Sequence, residues 1–175
     1  MVSYDPPRGE KEAAEVQLLY EELKSHGVDF ATGVPCGGQE GVIYYLIEDD
    51  EITHVHANRE AEAIGIAAGA RMSGRTPVVY MQNSGLFGSS NEIASLLLAY
   101  DIPLLLSVTW RGCPGENTPQ HQITGSATKD LLDSLGVPFR IIDEDNTGEI
   151  LADLFARIRD EQVTAALLIP RRWYQ

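Results

Sequence analysis

Basic residues are scarce in this chain: 13 Lys and Arg stand against 26 Asp and Glu, a formal net charge of −13. No basic face is evident at that balance, which argues against nucleic acid as a partner. Cysteine is sparser still, with Cys36 and Cys113 alone, each flanked by a proline and a glycine. Two such residues make no disulfide framework, and the opening residues carry no apolar signal core, so a cytoplasmic location is expected. Long apolar runs are missing as well. The longest, at 102–106 and 165–169, are strand-sized, so no membrane span is predicted. Neither the phosphate loop that ends in Gly-Lys-Ser/Thr nor the dinucleotide glycine fingerprint occurs, and ATP and NAD sites are therefore unsupported. No repeat, low-complexity tract or linker divides the 175 residues. A single domain over 1–175 is expected, with 1–9 as a candidate disordered tail.

What is present is an alternation of short apolar strands and amphipathic stretches. Strands are predicted at 28–34, 52–56, 77–82, 103–109, 138–142 and 165–169. Helices are predicted at 10–26, 38–47, 58–72, 91–98, 126–135 and 147–159, the first from the helical spacing of Ala13, Val16, Leu19, Tyr20 and Leu23 before Gly27. Such alternation implies an α/β fold, a three-layer α/β/α arrangement around a mostly parallel six-stranded sheet. In these folds ligands gather at the carboxyl ends of the strands. Four loops fall there: Pro35-Cys36-Gly37-Gly38, Asn58-Arg59-Glu60, Asn83-Ser84-Gly85-Leu86-Phe87-Gly88 and Trp110-Arg111-Gly112-Cys113-Pro114-Gly115.

Glu60 opens a helix made mostly of small residues, with glycines at 65 and 69. Each interior glycine costs roughly 1 kcal/mol of helix propensity against alanine, so close approach of a partner backbone or a flat ligand is the compensating gain. A carboxylate in such a dry contact can share a proton rather than stay fully ionised. The residues alone leave a second reading open, in which Asn58 caps the helix and Glu60 merely favours its dipole. The backbone N–H groups of Pro35-Cys36-Gly37-Gly38 and Asn83-Ser84-Gly85 are candidates to cradle an anion, with ordinary tight turns as the alternative. Cys36 at a turn into a helix is a weaker candidate nucleophile. His54 and His56 share one strand face, but no third ligand stands at recognisable spacing, so a structural pair is expected and no metal site is assigned. His121 and Arg111, in loops, suit a substrate anion better.

Several segments together resemble the pyrimidine-binding domain of thiamine-diphosphate enzymes, and most closely the phosphonopyruvate and sulfopyruvate decarboxylases. They are Gly33-Val34-Pro35-Cys36, REAEAIGIAAGA from Arg59, MQNSGL from Met81, ASLLLAYDIPLLLSVTWRG from Ala94, and PGENTPQH from Pro114. The resemblance implies that Glu60 hydrogen-bonds the aminopyrimidine ring of thiamine diphosphate and promotes removal of the proton from its thiazolium carbon. It implies cofactor contacts from Pro35, Cys36, Asn83, Ser84 and Gly85. Arg111, Gln120, His121 and Phe87 are then the candidate substrate contacts, and the substrate a small anionic 2-oxo acid. Phe87-Gly88-Ser89-Ser90 departs from the family's usual Gly-Asn, which points to a narrowed pocket and leaves acyloin-forming carboligation open. The family holds the diphosphate and Mg2+ through a Gly-Asp-Gly motif, which is absent from these residues. The resemblance therefore implies an alpha subunit, inactive alone, whose beta subunit carries that motif and most of the Mg2+ contacts in an alpha2beta2 or larger hetero-oligomer. The non-enzymatic alternative is a flavodoxin-like binding module.

Overall fold

The computed structural model describes residues 7, 10–143 and 145–170. The candidate tail therefore lies, apart from Pro7, outside the described residues. Helix α1 (Glu10–Ser25) leads into β1 (Phe30–Gly33), α2 (Glu40–Glu48), β2 (Thr53–His56), α3 (Glu60–Met72) and β3 (Pro77–Gln82). Two short helices follow, α4 (Asn83–Gly88) and α5 (Ser90–Glu92), the second continuing as a π-helical turn over Ile93–Leu98. Then come β4 (Leu105–Trp110), a 3-10 turn (Pro119–His121), α6 (Gln122–Leu135), β5 (Phe139–Ile141), α7 (Thr147–Ala156) with a π-helical turn over Arg157–Glu161, and β6 (Ala165–Pro170).

All six strands are parallel, in the order β2-β1-β3-β4-β6-β5. A fully parallel sheet needs cover on both faces, and the strand residues divide accordingly. Val78, Tyr80, Leu105, Ala165 and Leu167 pack under Leu19 and Leu23 of α1, Ile43 and Leu46 of α2, and Leu151 and Leu154 of α7. Their alternates Val79, Met81, Leu106, Val108 and Leu168 pack under Ala63, Ile64 and Ala67 of α3, Leu86 of α4, Ile93 and Leu97, and Leu132 of α6. The chain leaves β1 toward β2 and returns past it to β3, so the order reverses at β1. In open parallel sheets ligands bind beside such a reversal, here at the carboxyl ends of β1 and β3.

Several expected boundaries shift. Helix α3 starts at Glu60, with Arg59 in the N-cap position and no side-chain cap. Asn58 is therefore not the cap; its N–H instead donates to Glu62 Oε2 at 2.9 Å. The segment expected as a glycine-rich loop at 83–88 is helical, because Leu86 is fully buried beneath it. The helix expected at 126–135 begins four residues earlier, at Gln122. Among the described residues no helix is long and apolar enough to cross a membrane.

Candidate functional site

Glu60 stands in the first turn of α3, at the carboxyl edge of the sheet, and is half-buried. The end of its side chain lies against Gly85 of α4. A Cβ on Gly85 would overlap Glu60 Oε1, Cδ and Cγ at less than 3 Å, closer than real Cβ atoms come. The glycine is thus the seat of the glutamate. The first-turn carboxylate that reaches the backbone N–H before α3 is the one on Glu62, two residues on. Glu60 and Glu62 both stand in the first turn of α3, where a carboxylate favours the helix dipole.

Behind Gly85, buried Asn83 joins the ends of β3 and β4. Its Nδ2 donates to the Arg111 carbonyl at 2.8 Å and to Thr128 Oγ1 at 2.9 Å, while Arg111 N–H donates to its Oδ1 at 3.3 Å. A parallel lock ties the end of β1 to the same strands. Gln39, just before α2, is 4% exposed. Its Nε2 donates to the carbonyl of Met81 at 3.3 Å, the carbonyl of Ser107 at 3.0 Å and Thr109 Oγ1 at 3.0 Å, and its Oε1 accepts from Ser107 Oγ at 2.6 Å. Cys36 Sγ lies 2.9 Å from the same Thr109 hydroxyl. Burial pushes the Cys36 thiol up, against the lowering pull of Thr109, nearby backbone N–H groups and Arg111. A thiol held protonated is a packing and hydrogen-bonding group, which speaks against the nucleophile reading.

The Arg111 guanidinium reaches toward Gly37, whose Cβ position would be 4.0 Å from its Nη2. Glu116, buried in the loop after β4, receives the Gly112 N–H at 2.9 Å and approaches His121 Nδ1 to 2.5 Å. Burial pushes the Glu116 carboxyl up, yet the His121 and Gly112 hydrogen bonds and the Arg111 and His121 charges outweigh it and hold the group below the usual range.

Of the residues singled out from sequence, the structure draws Cys36, Asn83, Gly85, Arg111, His121 and Glu60 to one edge of the sheet. Pro35 and Ser84 lie there too but are exposed, Ser84 accepting a bond from Gln82 Nε2 at 3.0 Å. Phe87 is half-buried on α4, and Gln120 is exposed on the 3-10 turn with no bond to the cluster among the described residues. Gln39, Thr109 and Glu116 escaped sequence reasoning. Glu116 carried a usable signal as the one acid inside the Pro114–His121 motif; Gln39 carried none. His54 and His56 pack on each other, with rings 4.5 Å apart and His54 Nε2 at 2.8 Å from the Tyr80 hydroxyl. No cluster of three or more His, Cys, Asp or Glu among the described residues could hold a metal. The arrangement offers a seated carboxylate for a flat heterocycle, and a guanidinium and an imidazole for an anion.

The family model described as "Thiamine pyrophosphate enzyme, N-terminal TPP binding domain" matches residues 15–137. Sulfopyruvate decarboxylase subunit alpha of Methanothermobacter thermautotrophicus is 43% identical over 124 residues, which cover 71% of this chain and 75% of that one. Phosphonopyruvate decarboxylase of Streptomyces viridochromogenes is 35% identical over 157 residues, covering 87% of this chain but only 39% of that protein. Among solved structures, 2-oxoglutarate:ferredoxin oxidoreductase from Magnetococcus marinus superposes with a TM-score of 0.66 at 16% identity, over 91% of this chain and 29% of that one, a likeness of fold alone.

Proposed function

We propose, from the premise that this chain belongs to the thiamine pyrophosphate enzyme family by its N-terminal TPP binding domain, that it is the alpha subunit of a decarboxylase of small anionic 2-oxo acids. Its substrates are sulfopyruvate or phosphonopyruvate, the acids in the names of the relatives. The observation that carries the reading is the Glu60 carboxylate seated on Gly85, a close fit that a side chain at 85 would destroy.

The residues fit the pyrimidine half of thiamine diphosphate. Glu60 would hold the ring nitrogen by a hydrogen bond, and Gly85 and the small residues of α3 would let the flat ring and a second subunit come close. Asn83 and Gln39 keep the ends of β1, β3 and β4 in register beneath it. Arg111 and His121 meet the second anion of the substrate, with Cys36 and the backbone of Pro35, Ser84 and Gly85 as further wall. Bound thiamine diphosphate supplies the acceptor for the electron pair left when carbon dioxide departs. The diphosphate and Mg2+ fall to a beta subunit bearing Gly-Asp-Gly, which fits a relative that is itself named a subunit.

Mixing the chain with that partner, thiamine diphosphate and Mg2+ is expected to release carbon dioxide from sulfopyruvate or phosphonopyruvate, with neither chain active alone. An aldehyde as the only organic product separates decarboxylation from carbon–carbon ligation. A mixture that binds the cofactor yet releases no carbon dioxide from either acid contradicts the reading.

A further inference from the structure

We propose that Glu116 is a positioning residue for His121: it holds the ring by Nδ1 and so leaves Nε2 as the imidazole nitrogen that meets the second anion of the substrate. The proposal rests on the reading above, in which Arg111 and His121 face that anion. Every polar group of Glu116 is committed. Oε1 approaches His121 Nδ1 to 2.5 Å, Oε2 accepts the Gly112 N–H at 2.9 Å, its carbonyl accepts Gln122 Nε2 at 2.5 Å, and its own N–H donates to the Cys113 carbonyl at 3.0 Å. The residue is 4% exposed. An ionised carboxylate only accepts, so the proton between the two side chains belongs to Nδ1.

The backbone of His121 is held as firmly as its ring. Gly112 adopts φ +72°, and a Cβ there would overlap the His121 carbonyl oxygen. Gly125, one turn into α6, packs against the Gly112 backbone in the same way. His121 is therefore fixed at main chain and at Nδ1, while its side chain stays 21% exposed and no partner holds Nε2 among the described residues. When the ring carries both protons, Nε2–H donates to an oxyanion beside Arg111. A carboxylate–imidazole pair of this kind sets tautomer and direction, as the outer partners of metal-bound histidines do. Its consequence is discrimination: a 2-oxo acid with a second anion uses the oriented Nε2–H, and one without it has nothing to present.

Two measurements test this. In the full chain, 15N-resolved NMR of the imidazoles is expected to find the neutral His121 ring protonated on Nδ1; a neutral ring whose one proton sits on Nε2 overturns the proposal whatever the activity. In the complex reconstituted with the partner subunit, the ratio of kcat/KM for sulfopyruvate over pyruvate is expected to fall about tenfold in Glu116→Ala. Glu116→Gln, which keeps one acceptor for Nδ1–H, should recover part of that ratio. A ratio that stays at the wild-type value in Glu116→Ala overturns the proposal. A wild-type complex that turns over neither sulfopyruvate nor phosphonopyruvate instead sinks the functional reading, and the NMR result then decides the Glu116–His121 pairing by itself.

Discussion

Replacing Gly85 with alanine separates a catalytic seat from a structural one. The new methyl group would overlap Glu60 Oε1, Cδ and Cγ at less than 3 Å, whereas ordinary contact begins at 3.4 Å. The clashing atoms are the far end of a flexible side chain, so Glu60 yields and the fold does not. Its carboxylate moves by about 1 Å, and a displacement of that size at a reacting group costs on the order of 10²-fold in rate. Stability moves the other way or hardly at all, since alanine in a helix gains up to roughly 1 kcal/mol over glycine. The assay pairs kcat/KM of the reconstituted complex with thermal unfolding of the chain alone. Expected is a loss of roughly two orders of magnitude in rate with little change in Tm. Wild-type turnover by Gly85→Ala would refute the seating of Glu60, and a collapse of Tm would show that the glycine serves folding instead.

Gly33 makes the contrasting case. A Cβ there meets the backbone oxygen of Tyr80 and the edge of its ring, and the Tyr80 backbone is locked between strands, so Gly33→Ala should cost about 3 kcal/mol or more, read by urea unfolding. His54 should make stability depend on pH. Burial, and then the neighbouring His56, lower its pKa from 6.5 to about 4, so the unfolded chain binds the proton more readily between those values. Stability should fall as pH drops through that window, by at most roughly 3 kcal/mol, and His54→Gln should flatten the fall; equal slopes in the two proteins contradict it. On α3, Gly65 and Gly69 have open space where a Cβ would stand. Alanine at each should raise the stability of the isolated chain by about 1 kcal/mol, while Gly69→Leu should weaken assembly with the partner; tight assembly by Gly69→Leu would show that this face is not covered.

The sheet was legible because its strands are short apolar runs between turn signals, and β3 falls at the residues expected, Pro77–Gln82. Strand ends elsewhere moved by at most two residues, since pairing with a neighbour, which no single segment encodes, decides where a strand stops. Helix α4 was hidden by composition: Asn-Ser-Gly reads as a loop, and only the burial of Leu86 makes it a helix. The site was half legible. Glu60 stood out by its small neighbours, and Arg111 and His121 by their place at strand ends. Gln39 could not be found, because its partners Met81, Ser107 and Thr109 lie 42 to 70 residues away. Glu116 stands inside the Pro114–His121 motif, but only the fold brings Gly112 and His121 onto it. Asn58 shows the limit of local rules: it was expected to cap α3, and its N–H instead donates to Glu62, with Arg59 in the cap position.

The most direct measurement is turnover of sulfopyruvate and phosphonopyruvate by the complex assembled with Glu60→Gln in place of the wild-type chain. Glutamine keeps the size of the side chain and its place against Gly85, but it cannot give up and recover a proton. Assembly and thiamine diphosphate retention comparable to wild type, with kcat reduced on the order of 10² to 10⁴-fold, is the predicted result. Undiminished turnover by that complex would contradict the role assigned to Glu60.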